Sequence, residues 1–161
     1  SDGVSASNDQ SSSDTTSWGY TSPSRTDITG DTTSLSVMMQ ETKLRSIGLY
    51  TGQDMAVIVP QAGSGEVQIS KPARPASPYF RGLLIAVDES DAGEVYIGRY
   101  FPRVKVVSKG DQSFGGGDEP ITWNVTLQTY VDDAAGFSER WLFGGPGWKA
   151  QLVAMGFPAA A

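Results

Sequence analysis

The chain has no cysteine and no histidine. Without cysteine there is no disulfide, no thiolate nucleophile and no Cys-ligated metal. Without histidine the commonest general base and the commonest zinc ligand are both missing. Positive charge is also scarce: 12 Lys and Arg stand against 18 Asp and Glu, a net charge of −6. That balance argues against a protein that grips nucleic acid, because neutralising phosphates needs clustered cations. No apolar run reaches the ~18 residues of a membrane-spanning helix. The sequence opens on Ser1 rather than Met, so the lack of a secretion signal carries no weight. What is present in quantity is loop material, 19 Gly and 9 Pro in 161 residues. The length favours one domain and suffices to bury a core.

Residues 1–17 are Ser-, Asp-, Thr- and Asn-rich, with Val4 as their one large apolar side chain. Such a segment cannot offset its own ordering entropy. It reads as a disordered tail, or as an extended stretch that orders only against neighbouring chains. From Trp18 to residue 158 the texture is that of a folded β domain, and 159–161 form a short tail. Leu35, Val37 and Met39 alternate with Ser34, Ser36 and Met38, predicting one long strand over about 24–40. Gly30 marks a bulge or kink within it. Glu41 to Tyr50 shifts to helical spacing, with Gly52 as the stop. The Pro- and Gly-rich stretch 60–78 follows, around a candidate strand Glu66 to Ile69.

The second half reads as a β-meander. Tyr79 to Val87 is a nearly continuous apolar strand, Asp88 to Gly93 an acidic turn, and Val95 to Phe101 the returning strand. Pro102 is expected to interrupt the pairing before Arg103 to Val107 resumes it. Beyond the Gly-rich loop 110–120, Ile121, Trp123, Val125, Leu127, Thr129 and Val131 share one face of a strand with polar residues opposite. Trp148, Leu152 and Met155 fall on one face of a short C-terminal helix behind Pro146. The fold class is therefore mainly β, a β-sandwich or barrel with one or two short flanking α-helices.

Each candidate for chemistry has a simpler reading. Asp88, Glu89, Asp91 and Glu94 lie in a predicted turn, out of register for a calcium loop. Asp132 and Asp133 close the long strand, where Asp commonly starts turns. A carboxylate-only glycosidase needs two such groups facing one another, which nothing in the sequence arranges. Gly115, Gly116 and Gly117 lack the Lys and Ser/Thr of a phosphate loop and read as a mobile connection. Asn124-Val125-Thr126 matches a glycosylation acceptor but falls mid-strand. Tyr96, Arg99, Tyr100, Phe101, Arg103, Lys105 and Lys109 interleave basic and aromatic groups as single-strand binders do. Alternating cations on a strand more commonly mark an exposed face or an intersubunit salt bridge. The sequence thus offers no catalytic, cofactor-binding or metal-binding residues.

Three segments carry a likeness: Tyr79-Phe80-Arg81-Gly82-Leu83, Tyr96-Ile97-Gly98-Arg99-Tyr100-Phe101-Pro102-Arg103, and Trp141-Leu142-Phe143-Gly144-Gly145-Pro146-Gly147-Trp148. Asp2-Gly3-Val4, Trp18-Gly19, Gln40-Glu41-Thr42-Lys43 and Leu49-Tyr50 precede them in order. From about residue 2 to 157 the chain resembles the major tail tube proteins of long non-contractile-tailed phages, those infecting actinobacteria above all. Members usually carry a further N-terminal segment with early strands, and the sequence here reads as starting after it.

The resemblance implies a structural virion protein and no enzyme. Its subunits are expected to self-associate into hexameric rings stacked as a tube, with long strands pairing across subunits into a continuous inner barrel. Expected partners are the tape measure, tail tip and tail terminator proteins. Double-stranded DNA would pass through the lumen without specific binding, and no membrane or cofactor is involved. Assembly would occur in the host bacterial cytoplasm and the product reside in the phage tail. Strands near 25–39, 95–107 and 121–131 are the expected lumen lining, and loop 110–118 with the N-terminal stretch the expected contacts between rings. The C-terminal helix is expected to pack on its own subunit through Trp148 and Leu152. Two other readings remain: a secreted carbohydrate-binding β-sandwich, and another phage ring-former such as a tail terminator or capsid decoration protein.

Overall fold

In a computed structural model, residues 3–74, 78–114 and 120–159 are described. Asp2 and the run Gly115 to Gly117 therefore lie outside the described residues. Among those described, six strands and two short helices follow in the order β1 (Val4–Thr15), β2 (Arg25–Met39), α1 (Leu44–Thr51), β3 (Tyr79–Ser90), β4 (Gly93–Lys109), β5 (Trp123–Thr129), β6 (Arg140–Gly144) and α2 (Pro146–Gln151). A single 3-10 turn, Met55–Val57, follows α1. The sheet runs β1-β2-β5-β4-β3, with β6 paired to β4. The mainly β class with two short helices is thus what the chain forms, compatible with a β-sandwich-like fold. Two compact units divide the chain, Ser1–Tyr79 with Lys105–Thr129, and Phe80–Val104 with Tyr130–Ala161.

The first unit is organised by alternation. Leu35 is buried on β2, and Val125, Leu127 and Thr129 on β5. Antiparallel pairing sets Leu35 opposite Leu127 and Val37 opposite Val125. Two strands with apolar residues at every second position can share one dry face only in that register. Thr129 Oγ1 donates to the Thr33 carbonyl at 3.1 Å, closing the buried end of the pair. Helix α1 stops at Gly52, whose φ of 73° favours glycine, and its N–H returns to the Gly48 carbonyl.

Residues 4–15 correct both readings, that of a disordered tail and that of a stretch ordered only by neighbouring chains. They form a strand paired within the chain along β2, from Val4 opposite Val37 to Thr15 opposite Arg25. All twelve are exposed. Ser11 stands opposite Gly30 and Ser12 opposite Ile28, so Thr29 has no partner: the bulge anticipated at Gly30 sits one residue away.

In the second unit Phe101 and Val104 are buried on β4, and Gly82 of β3 faces the Phe101 ring, which a Cβ there would meet at 3.5 Å, an ordinary contact. Pro102 does not interrupt β4, which runs 17 residues through it. The β6 ladder ends at Tyr100 opposite Arg140, so the residue lacking an N–H lies past the last register of that edge. The candidate strand at 66–69 is absent. That segment is irregular, held by a Gln61 N–H to Glu66 carbonyl bond at 2.8 Å. Strand β6 had no periodic signal in the sequence.

Candidate assembly surface

The hairpin β1–β2 changes character along its length. Ser34 to Met39 of β2 are backed by β5. From Asn8 and Thr33 outward the two strands form a polar ribbon, tied by Thr33 Oγ1 to Asn8 Oδ1 at 3.2 Å and Thr26 Oγ1 to Asp14 Oδ1 at 2.6 Å. Its closing loop is built. Ser24 Oγ donates to the Thr15 carbonyl and Ser17 Oγ to Ser24 Oγ, both at 2.9 Å, across the neck. Beyond them the Tyr20 N–H reaches the Ser17 carbonyl at 3.1 Å, with Gly19 at a φ of 89° in the third position of the turn. Trp18 occupies the corner of that turn and is fully exposed.

The second unit carries an apolar groove of about 400 Å³ lined by Leu83, Ile85, Val87, Tyr96, Leu142 and Phe143, with Gly98 and Gly144 between them. Leu83, Ile85 and Val87 alternate along β3 and are each more than half exposed. The opposite face of β3 packs Gly82 against Phe101, so this strand is apolar on both sides. Strands of that kind are ordinarily covered on both faces. Gly98 lies in the lining, where a Cβ would approach Leu142 Cβ to 3.3 Å, tighter than an ordinary contact.

The run Gly144-Gly145-Pro146-Gly147 has a packing cause. Gly145 has a φ of 104°, and a Cβ on it would lie 2.5 Å from the Glu94 carbonyl oxygen. A Cβ on Gly147 would collide with the Gly93 carbonyl. The two glycines let the start of α2 lie against the β3–β4 turn, where Ser90 Oγ donates to the Gly93 carbonyl at 2.8 Å. Trp148 then stacks on Phe143 at 5.0 Å between centroids and meets Phe157 at 5.4 Å. The helix therefore packs on its own chain through Trp148.

The basic and aromatic residues of β4 do not form a strip. Arg99 pairs with Glu139 at 2.7 Å, both side chains largely buried, and its guanidinium lies 4.2 Å from the Trp141 ring centre. The intersubunit salt bridge anticipated for these cations is, at Arg99, a pair within the chain. Tyr100 meets Phe137 edge-on, and Phe101 is core. Tyr96 donates its hydroxyl to the Glu94 carboxylate, which raises the phenol above its ordinary value. Lys105 lies over Tyr79 at 5.2 Å.

Lys109 lies 5.7 Å over Tyr50, in a groove it shares with Lys71. Withdrawal from water lowers its ammonium below the ordinary lysine value, and the Lys71 charge pushes the same way.

Of the four acidic residues expected in the turn between β3 and β4, only Asp91 lies in it, since β3 runs on through Asp88 and Glu89 to Ser90 and Glu94 already belongs to β4. Asp88, Glu89, Asp91 and Glu94 are exposed. Asp132 Oδ1 accepts from the Ala134 and Ala135 N–H groups at 2.9 and 3.0 Å, an Asx-type turn. Among the described residues no three carboxylates gather so as to hold a metal ion. Asn124 lies in β5 against Gly110, with its buried Oδ1 unpaired. Sequence reasoning missed the groove because Leu142 and Phe143 belong to the unanticipated β6.

No protein-family model matches the chain, and no curated protein matches it in sequence.

Proposed function

We propose that this chain is a structural subunit of a phage tail tube, assembling into stacked hexameric rings around a channel for genome delivery. The observation that carries the reading is the pair of terminal strands: β1 and β3, 12 residues each, stand at the two ends of the sheet order. Long edges of this kind invite another strand, and assembling proteins satisfy them with a second copy. The exposed apolar face of β3 and the ordered motifs described above support the same reading. So does the engagement of Arg99 and Lys105 with carboxylate or aromatic neighbours, which suits a lumen through which DNA slides unheld. In this reading the chain is no enzyme. It needs no cofactor, meets tape measure, tip and terminator proteins, and resides in the virion tail.

Electron microscopy of the purified, concentrated protein, beside a solution mass, tests this. Hollow tubes or stacked six-fold rings are the expected result. Monomers that persist with a tail-tip seed present would overturn it. Closed rings that never stack would favour a terminator or decoration protein. For the carbohydrate reading the ring of Trp141 is poorly placed, with Arg99 over it and Phe143 stacked at 6.2 Å. A shift in tryptophan fluorescence on adding glycans would nevertheless revive that reading.

A further inference from the structure

We infer that the Trp18 turn of one copy docks into the Leu83–Phe143 groove of a second copy. The inference concerns the partner of the assembly surface and draws on the self-association proposed above. It does not require that the product be a tube.

Two observations made independently fit one another. At the hairpin tip, Trp18 and Tyr20 are 104% and 73% exposed, at the end of arms whose side chains are almost all polar. An unsupported loop would let these rings move freely. Here the neck bonds of Ser17 and Ser24 and the positive-φ Gly19 hold the local turn geometry at Trp18, though β1 behind it is exposed throughout. Such fixing removes in advance part of the ordering cost of binding. In the second unit the groove of about 400 Å³ has almost wholly apolar walls and an open mouth. That volume falls within the ~300–1,000 Å³ of pockets that take compact organic groups. An aromatic anchor entering an apolar pocket is the usual form of an interface hot spot.

The occupant is a second copy because each chain carries both knob and hole on different patches. A contact of that type is heterologous, so it propagates into rings or stacks instead of ending at a dimer. Area points the same way. Each aromatic ring contributes about 150–250 Å² of burial. Two of them, counted with the groove walls they cover, come to about 600–1,000 Å², at or below the least that a lone specific pair buries. The contact is therefore suited to a repeating assembly, where many copies act together, and not to an isolated pair.

The test replaces Trp18 with the photoreactive p-benzoylphenylalanine in the full chain. Heavy-isotope and unlabelled copies are mixed, concentrated to about 1 mM so that even a millimolar contact is formed in roughly two-fifths of the sites, irradiated and mapped by mass spectrometry. Cross-links between heavy and light copies onto residues 83–87 or 142–143 are expected. They should fall about tenfold when the mixed-in copies carry Ile85→Asp or Val87→Asp, both at exposed positions that leave the fold intact. Cross-links between copies at other sites, cross-links only within a copy, or none would overturn the inference. Tubes seen by electron microscopy with cross-links elsewhere would sink the docking and leave the tube reading standing. Groove cross-links in particles that are not stacked rings would do the reverse.

Discussion

Gly147 has no room for a methyl group, because the Gly93 carbonyl already fills that space. Gly147→Ala must push the start of α2 away from the β3–β4 turn, and overpacking of this kind costs about 1–3 kcal/mol. Thermal unfolding should show the loss directly, and an unchanged Tm would refute the packing account. Lys109 gives a prediction in pH. Its folded value lies below the ordinary 10.5, so between the two the unfolded chain binds more protons than the folded one. Its contribution therefore makes stability rise with pH through that window. Lys109→Met keeps the stem over Tyr50 and should flatten the rise, measured as denaturant midpoints over an alkaline series. Tyr96 acts oppositely. Its raised value adds stability below pH 10.0 that is lost as pH climbs through the folded value, so Tyr96→Phe should remove that fall.

At the scale of elements, the β1–β2 hairpin joins two regimes. Met39 to Ser34 are braced by β5, whereas Asn8–Thr15 and Arg25–Thr33 have each other as strand partners. A lone two-stranded ribbon is marginal in water. Amide exchange should thus be slow at residues 34–39 and 123–128 and fast along the ribbon, and equal protection throughout would contradict this. The same contrast explains what could be read from sequence. Strand β5 was legible because Trp123, Val125 and Leu127 alternate with polar residues, and half of β2 for the same reason. Strand β1 was illegible because it buries nothing: its Ser, Asp and Asn side chains carry no period, and only pairing with β2 makes it a strand. Arg140 to Gly144 hides for the opposite cause, three large apolar residues in succession with no alternation. Of the candidate surface, Trp18 and the Gly-Gly-Pro-Gly run were visible as words. The groove was not, since β3, β4 and β6 supply it jointly.

For the whole molecule, the net charge of −6 makes copies repel, while in the proposed assembly edge strands and apolar faces draw them together. Salt screens the first and leaves the second. Raising ionic strength from about 0.02 M to 0.5 M, which shortens the Debye length several-fold, should lower the protein concentration at which light scattering detects assembly. A higher threshold in salt would mean that ion pairs between copies dominate. Within the assembly the ribbon amides that exchange quickly in the free chain should become protected, which links the two experiments.

The unpaired Thr29 acts as a phase shifter. Counting strictly by twos, Ile28 would face away from Leu35. With one residue skipped, the partners run Leu35–Ala6, Thr33–Asn8, Asp31–Gln10, then Ile28–Ser12, so Ile28 shares the Leu35 side. Deleting Thr29 would close the bulge, keep Ile28 opposite Ser12 on the Leu35 side, and remove the extra twist and bend that a bulge gives the ribbon carrying the Trp18 corner. A chain so shortened should fold with its β2–β5 pairing intact and carry its tip on a straighter ribbon. The direction in which the hairpin points is set here by one extra residue.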